Sequence, residues 1–113
     1  SHHEAVAHLS VEIARKVLMR NVSDGDYKIE SLIKEALNSV PKRSGTVVHL
    51  NPQDLADFQK LQDTDQATLS EVELAADATI GRAECVVESS NGIIKLLIDE
   101  RLEQISKALI KTE

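Results

Sequence analysis

Two apolar runs on either side of Asn91-Gly92 constrain this chain more than any other stretch. Cys85 to Val87 comes first, Ser89-Ser90-Asn91-Gly92 interrupts, and Ile93 to Ile98 follows. Asparagine and glycine both tolerate positive φ, and a turn built on them matches the twist of the flanking strands. The stretch therefore predicts an antiparallel hairpin. Asp99 and Glu100 then open a helix whose apolar residues are Leu102, Ile105 and Leu109. The two acids sit where the helix dipole favours negative charge.

Upstream, Val6, Leu9, Ile13 and Val17 recur at spacings of three and four and predict a helix from about Glu4 to Asn21. Val11 and Leu18 lie off that main stripe. They mark a second apolar face, which needs a second partner. Ser23-Asp24-Gly25-Asp26 is a turn. Ile29, Leu32, Ile33, Ala36, Leu37 and Val40 give a helical stripe from about Tyr27 to Ser39, stopped by Pro41. Thr46 to Leu50 is β-branched and apolar, hence a strand. Asn51 caps the next helix, Pro52 has the φ of a first helical residue, and Asp54 adds charge to the first turn. Leu55, Phe58 and Leu61 are its expected buried face. Asp63 to Gln66 reads as a polar loop, and Leu69 to Leu74 as a strand with Val72 and Leu74 inward. Ala75 to Gly81 reads as a connection.

The expected order is α-α-β-α-β-β-β-α: an α+β fold with a small mixed sheet of about four strands covered by helices. At 113 residues, one domain is expected, from residue 4 to residue 113. Ser1-His2-His3 reads as the remnant of an affinity tag.

Composition narrows the function. Aromatic residues make up 2% of the chain, so base stacking on single-stranded nucleic acid has almost nothing to use. The net charge of -6, without a basic patch, argues against neutralising duplex phosphates. No run reaches the roughly 18 apolar residues of a membrane span. One cysteine excludes an internal disulfide and a cysteine zinc cluster, and fits a reducing, cytoplasmic setting.

Several constellations have ordinary readings. His2, His3, Glu4 and His8 can be drawn as a metal site, but the first two belong to the tag remnant. His49 lies alone in a strand and reads as structural. Cys85 sits in an apolar alternation and reads as a small buried hydrophobe. Asp54, Asp57, Asp63 and Asp65 lack the spacing of a calcium loop and read as a solvated face and a polar loop. No glycine pattern cradles a phosphate, and nothing singles out a nucleophile-base pair. Neither a metal nor a cofactor is expected, and the residues alone describe an α+β interaction domain.

Two segments in this order carry a resemblance. One is Leu9-Ser10-Val11-Glu12-Ile13-Ala14-Arg15-Lys16-Val17-Leu18-Met19-Arg20, followed by Ile33-Lys34-Glu35-Ala36-Leu37. The other is Glu84-Cys85-Val86-Val87-Glu88-Ser89, then Gly92-Ile93-Ile94 and Arg101-Leu102-Glu103-Gln104-Ile105. Between them lies Val48-His49-Leu50-Asn51-Pro52-Gln53-Asp54-Leu55. From about Leu9 to Ile110 the chain resembles the C-terminal domain of the FliH family of flagellar assembly proteins and their injectisome stator counterparts. That domain is similar to the C-terminal domain of a peripheral-stalk component of rotary ATPases.

The resemblance implies a non-catalytic homodimer that binds and regulates the export ATPase of a flagellar or injectisome system. It implies a cytoplasmic protein, peripheral to the membrane, that helps dock the ATPase at the export gate. The chain would then be part of a longer protein whose other half forms a stalk. Leu102, Ile105 and Leu109 are candidate partner-binding residues, and Val11 and Leu18 form a candidate dimer face. The alternatives are a peripheral-stalk component of a V/A-type rotary ATPase and a small enzyme using Cys85 or a histidine.

Overall fold

The computed structural model describes residues 1–61 and 71–111. Its elements are α1 (His2–Ser23), α2 (Ile29–Leu37), β1 (Thr46–Leu50), α3 (Pro52–Gln59), β2 (Val72–Ala76), β3 (Cys85–Ser89), β4 (Gly92–Leu96) and α4 (Ile98–Lys111). This is an α+β fold in the order expected from the sequence. The chain divides into two compact units. One pairs the N-terminal segment, through Tyr27, with α4; the other runs from Lys28 to Leu97.

In the second unit the strand order is β2-β1-β3-β4. β1 pairs with β2 in parallel, Val48 beside Leu74, and with β3 antiparallel, Val48 beside Val87. Alternation along each strand sends Thr46, Val48, Leu50, Cys85 and Val87 to one face, where all are buried. α2 covers β3 from that side, and α3 packs on α2 and β2. α2 contributes Ile33, Ala36 and Leu37, each at most 1% exposed, and α3 contributes Phe58. The buried Thr46 hydroxyl donates to the Lys42 carbonyl at 3.2 Å, so the inner face carries no unpaired hydroxyl.

Four local expectations change. α2 is shorter than Tyr27 to Ser39, because Lys28 is extended (φ -106°, ψ 103°) and Asn38 closes the helix before Pro41. In the hairpin Ser89 pairs with Gly92, so Ser90 and Asn91 form the two-residue loop in place of Asn91-Gly92. Among the described residues Ala83 alone combines a side chain with positive φ, so neither loop residue adopts it. The Ser89 hydroxyl instead accepts from the Asn91 N–H at 3.2 Å and organises the turn. α3 ends at Gln59, which leaves Leu61 beyond the helix and 38% exposed. β2 begins at Val72 and continues through Ala75 and Ala76, because the parallel ladder runs to Leu50. The expected start of that strand at Leu69, and the loop with Asp63 and Asp65, lie outside the described residues.

Asn51 and Pro52 start α3 as expected. The Asn51 carboxamide oxygen accepts from the Gln53 N–H at 2.9 Å, and its NH2 donates to the Ile80 carbonyl at 2.9 Å. Asp54 departs from the solvated reading. Its carboxylate is buried, accepting from Arg82 Nε and from the Ala83 N–H, each at 2.8 Å. Arg82 also reaches Asp57 at 3.3 Å, and Gln53 donates to Asp57. The helix start thus clamps the loop before β3, and it holds Ala83 at φ 62°, a left-handed conformation costing an L-residue about 1–2 kcal/mol. At the other end of that loop, Asp77 accepts from both the N–H and the hydroxyl of Thr79. These bonds hold its pKa below the ordinary carboxylate value.

In the first unit α1 and α4 run antiparallel. His3 Nε2 lies 2.6 Å from the Leu109 carbonyl, His8 Nδ1 is 3.4 Å from the Ser106 hydroxyl, and Arg15 donates to Asp99 at 2.8 Å. Ser1 caps α1 by accepting from the Glu4 N–H, so the helix begins at His2. The hydrogen bond from Arg15, reinforced by its charge, depresses the pKa of Asp99, and Asp99 in turn raises that of Arg15.

Asp54→Ala removes charged hydrogen bonds from a buried site and should cost about 2–3 kcal/mol in urea unfolding. Ala83→Gly relieves the left-handed strain and should stabilise by up to about 1 kcal/mol in the same measurement. For Asp99 the folded pKa lies below the unfolded one. Its contribution is present above the unfolded value of about 3.9 and is lost as pH falls through the folded value. Protection of the amides along α1 and α4, taken relative to their intrinsic exchange rates, should therefore fall below about pH 4, and Asp99→Asn should remove that part of the acid dependence.

Candidate protein-contact surface

α1 is a helix of 22 residues, about 33 Å long at 1.5 Å per residue. Its apolar side chains fall on two opposite faces. Ala7 and Val22 are buried and Val11 is half-buried, on the side whose neighbours His8 and Arg15 meet α4. Val6, Leu9, Ile13 and Val17 lie half a helical turn away and are 49%, 59%, 56% and 58% exposed. The structure exchanges the two faces read from the sequence. The main stripe faces outward, and Val11 turns inward; Leu18, at 37% exposed, sits at the boundary.

The sequence held a signal for this. Ala7, Val11, Ala14, Leu18 and Val22 also recur at three and four, and small residues let two helices approach closely. The stripe of larger side chains promises more burial, and so reads as the inner face from sequence alone. Four large aliphatic side chains aligned on one exposed face form a contiguous apolar patch, a feature that marks contact surfaces. The exposed Lys16 and Arg20 border the patch.

On α4 the three candidate residues separate. Leu102 is buried, whereas Ile105 and Leu109 are 51% and 40% exposed. Only the last two offer apolar surface to a partner. Cys85 is 0% exposed, at an inner-face position of β3 beside Leu50. His49 points to the opposite face, with Nε2 3.0 Å from Glu88 Oε1 but poorly aligned for a hydrogen bond. His3 and His8 meet α4, and Asp54 and Asp57 meet Arg82. Among the described residues no three His, Cys, Asp or Glu side chains are grouped to hold a metal ion. None of the described helices is long and apolar enough to cross a membrane.

The chain is 27% identical over 105 residues to a type 3 secretion system stator protein of Yersinia enterocolitica, covering 90% of this chain and 47% of that protein. It is 28% identical over 117 residues to a protein of the same name from Yersinia pestis, covering 93% and 51%. The chain therefore spans about half the length of these relatives. The family model for flagellar assembly protein FliH matches residues 2–105. With a match across all of α1, the sheet and more than half of α4, the chain belongs to the FliH family.

Proposed function

We propose that this chain is the ATPase-binding part of a non-catalytic stator or adaptor in a flagellar or type III export system. The stator name of its relatives and the FliH family match support that reading. The observation that carries it is the large apolar surface left open on a helix pair. An adaptor needs such surface to hold its partners, and this one has two areas. The outer stripe of α1 receives a second copy of the chain. The exposed Ile105 and Leu109 of α4 contribute to the seat of an amphipathic helix of the export ATPase, in the helix-in-groove mode. The assembly sits on the cytoplasmic side, bringing the ATPase to the export gate and adjusting its hydrolysis rate.

The test is light scattering on this chain mixed with the export ATPase of its own system, and separately with the catalytic component of a rotary V/A-type ATPase. A complex of two copies with one export ATPase, and none with the rotary component, is expected. Failure to co-elute with the export ATPase, or preference for the rotary component, overturns the reading. Ile105→Asp in the same assay should weaken the complex at least about tenfold, since one buried apolar side chain contributes about 1.5–3 kcal/mol. The exposure of Ile105 keeps that variant folded.

A further inference from the structure

The free edge of the sheet offers a separate surface. Among the described residues β4 has β3 on one side and no strand on the other. Alternate residues of such a strand turn N–H and C=O groups outward, a template for another extended chain. Ile93, 63% exposed, is the most exposed of the large hydrophobic residues described. Lys95 is exposed, lies beside Val86 and has no ion-pair partner among the described residues. An open hollow of about 210 Å³ adjoins the start of the strand, where Ser39, Pro41, Ser89 and Asn91 line it together with both Ile93 and Ile94.

We propose that β4 receives an extended apolar peptide segment of a partner protein bearing one acidic side chain. The faces of the strand dictate that pattern. A residue added beside Ile94 projects to the inner face, where the hollow accepts a medium-sized apolar side chain. A residue added beside Ile93 projects outward and covers its exposed surface. A residue added beside Lys95 projects to the same outer face, where a carboxylate pairs with the ammonium. An antiparallel segment reading acidic, apolar, apolar therefore fits Lys95, Ile94 and Ile93 in turn. Charge selects this occupant over a second copy. Pairing β4 with itself about Ile94 sets each Lys95 beside an isoleucine, with no carboxylate to meet the ammonium. A lysine on an edge strand deters indiscriminate pairing; here the requirement for an acid makes the deterrent selective. This surface is independent of the stator reading.

The test is an amide chemical-shift titration of this chain with a capped peptide, threonine-glutamate-valine-valine-threonine, and with its lysine-for-glutamate counterpart. Saturable shifts at Ile93, Ile94, Lys95 and Ser39 with the first peptide are expected. Lys95→Glu should weaken that binding about three- to fivefold, the scale of an exposed ion pair, and should reverse the preference between the two peptides. Because Lys95 is exposed, the variant keeps its fold, which its own amide spectrum verifies. Absence of saturable shifts at β4, indifference to the charge reversal, or β4 shifts that grow with protein concentration alone would each overturn the proposal. The last outcome would assign the edge to a second copy.

Discussion

Burial of the inner face of β1 and β3, with α2 packed over β3, is the interaction on which the larger unit depends. Val48, Leu50, Cys85 and Val87 are all 0% exposed, and Ile33, Ala36 and Leu37, on the helix that packs over β3, are at most 1% exposed. Each large aliphatic side chain contributes about 1.5–3 kcal/mol. Apart from Phe58, the core has no aromatic volume to draw on, so its stability rests on close fitting of branched side chains, where lost methyl groups leave cavities. The register follows from the same constraint: a one-residue slip of β3 would turn Cys85 and Val87 outward and bring Val86 and Glu88 inside. The Asp54–Arg82–Ala83 clamp acts on this core from its rim, by fixing how the chain enters β3.

α1 obeys a different logic. One face meets α4 through small residues and three polar contacts, while the opposite face holds four large aliphatic side chains in solvent. A helix apolar on two sides is stable in water only at a cost, and the outward stripe lowers that cost once another helix covers it. The exposed residues of α4 and the open edge at β4 belong to the same pattern. The inner face of the sheet is well packed, and the surfaces left open are aliphatic and bordered by lysine or arginine.

Much of the fold was legible in the residues. Thr46 to Leu50 appears as read, because β-branched alternation bounded by Gly45 and Pro52 permits little else. The Asn51-Pro52 helix start appears for a similar reason, since a cap and a fixed φ act locally. The two apolar runs around Asn91-Gly92 gave the hairpin but misplaced its loop by one residue, because the Ser89 side chain organises the turn and removes the need for positive φ. Asp54 was misread because a carboxylate in a first helical turn has a sufficient local role in charge. Its burial depends on Arg82, 28 residues away, and no local pattern announces that. The candidate contact surface was half legible. Periodicity showed that α1 has two apolar faces, but only the position of α4 decides which one is covered.

Sedimentation equilibrium of this chain beside its Leu9→Asp/Ile13→Asp variant tests most directly whether the outward stripe of α1 is a contact face. Reversible dimerisation of the parent and a folded, monomeric variant would be the result predicted here. A parent that stays monomeric at all concentrations, or a variant that dimerises equally well, would contradict the account.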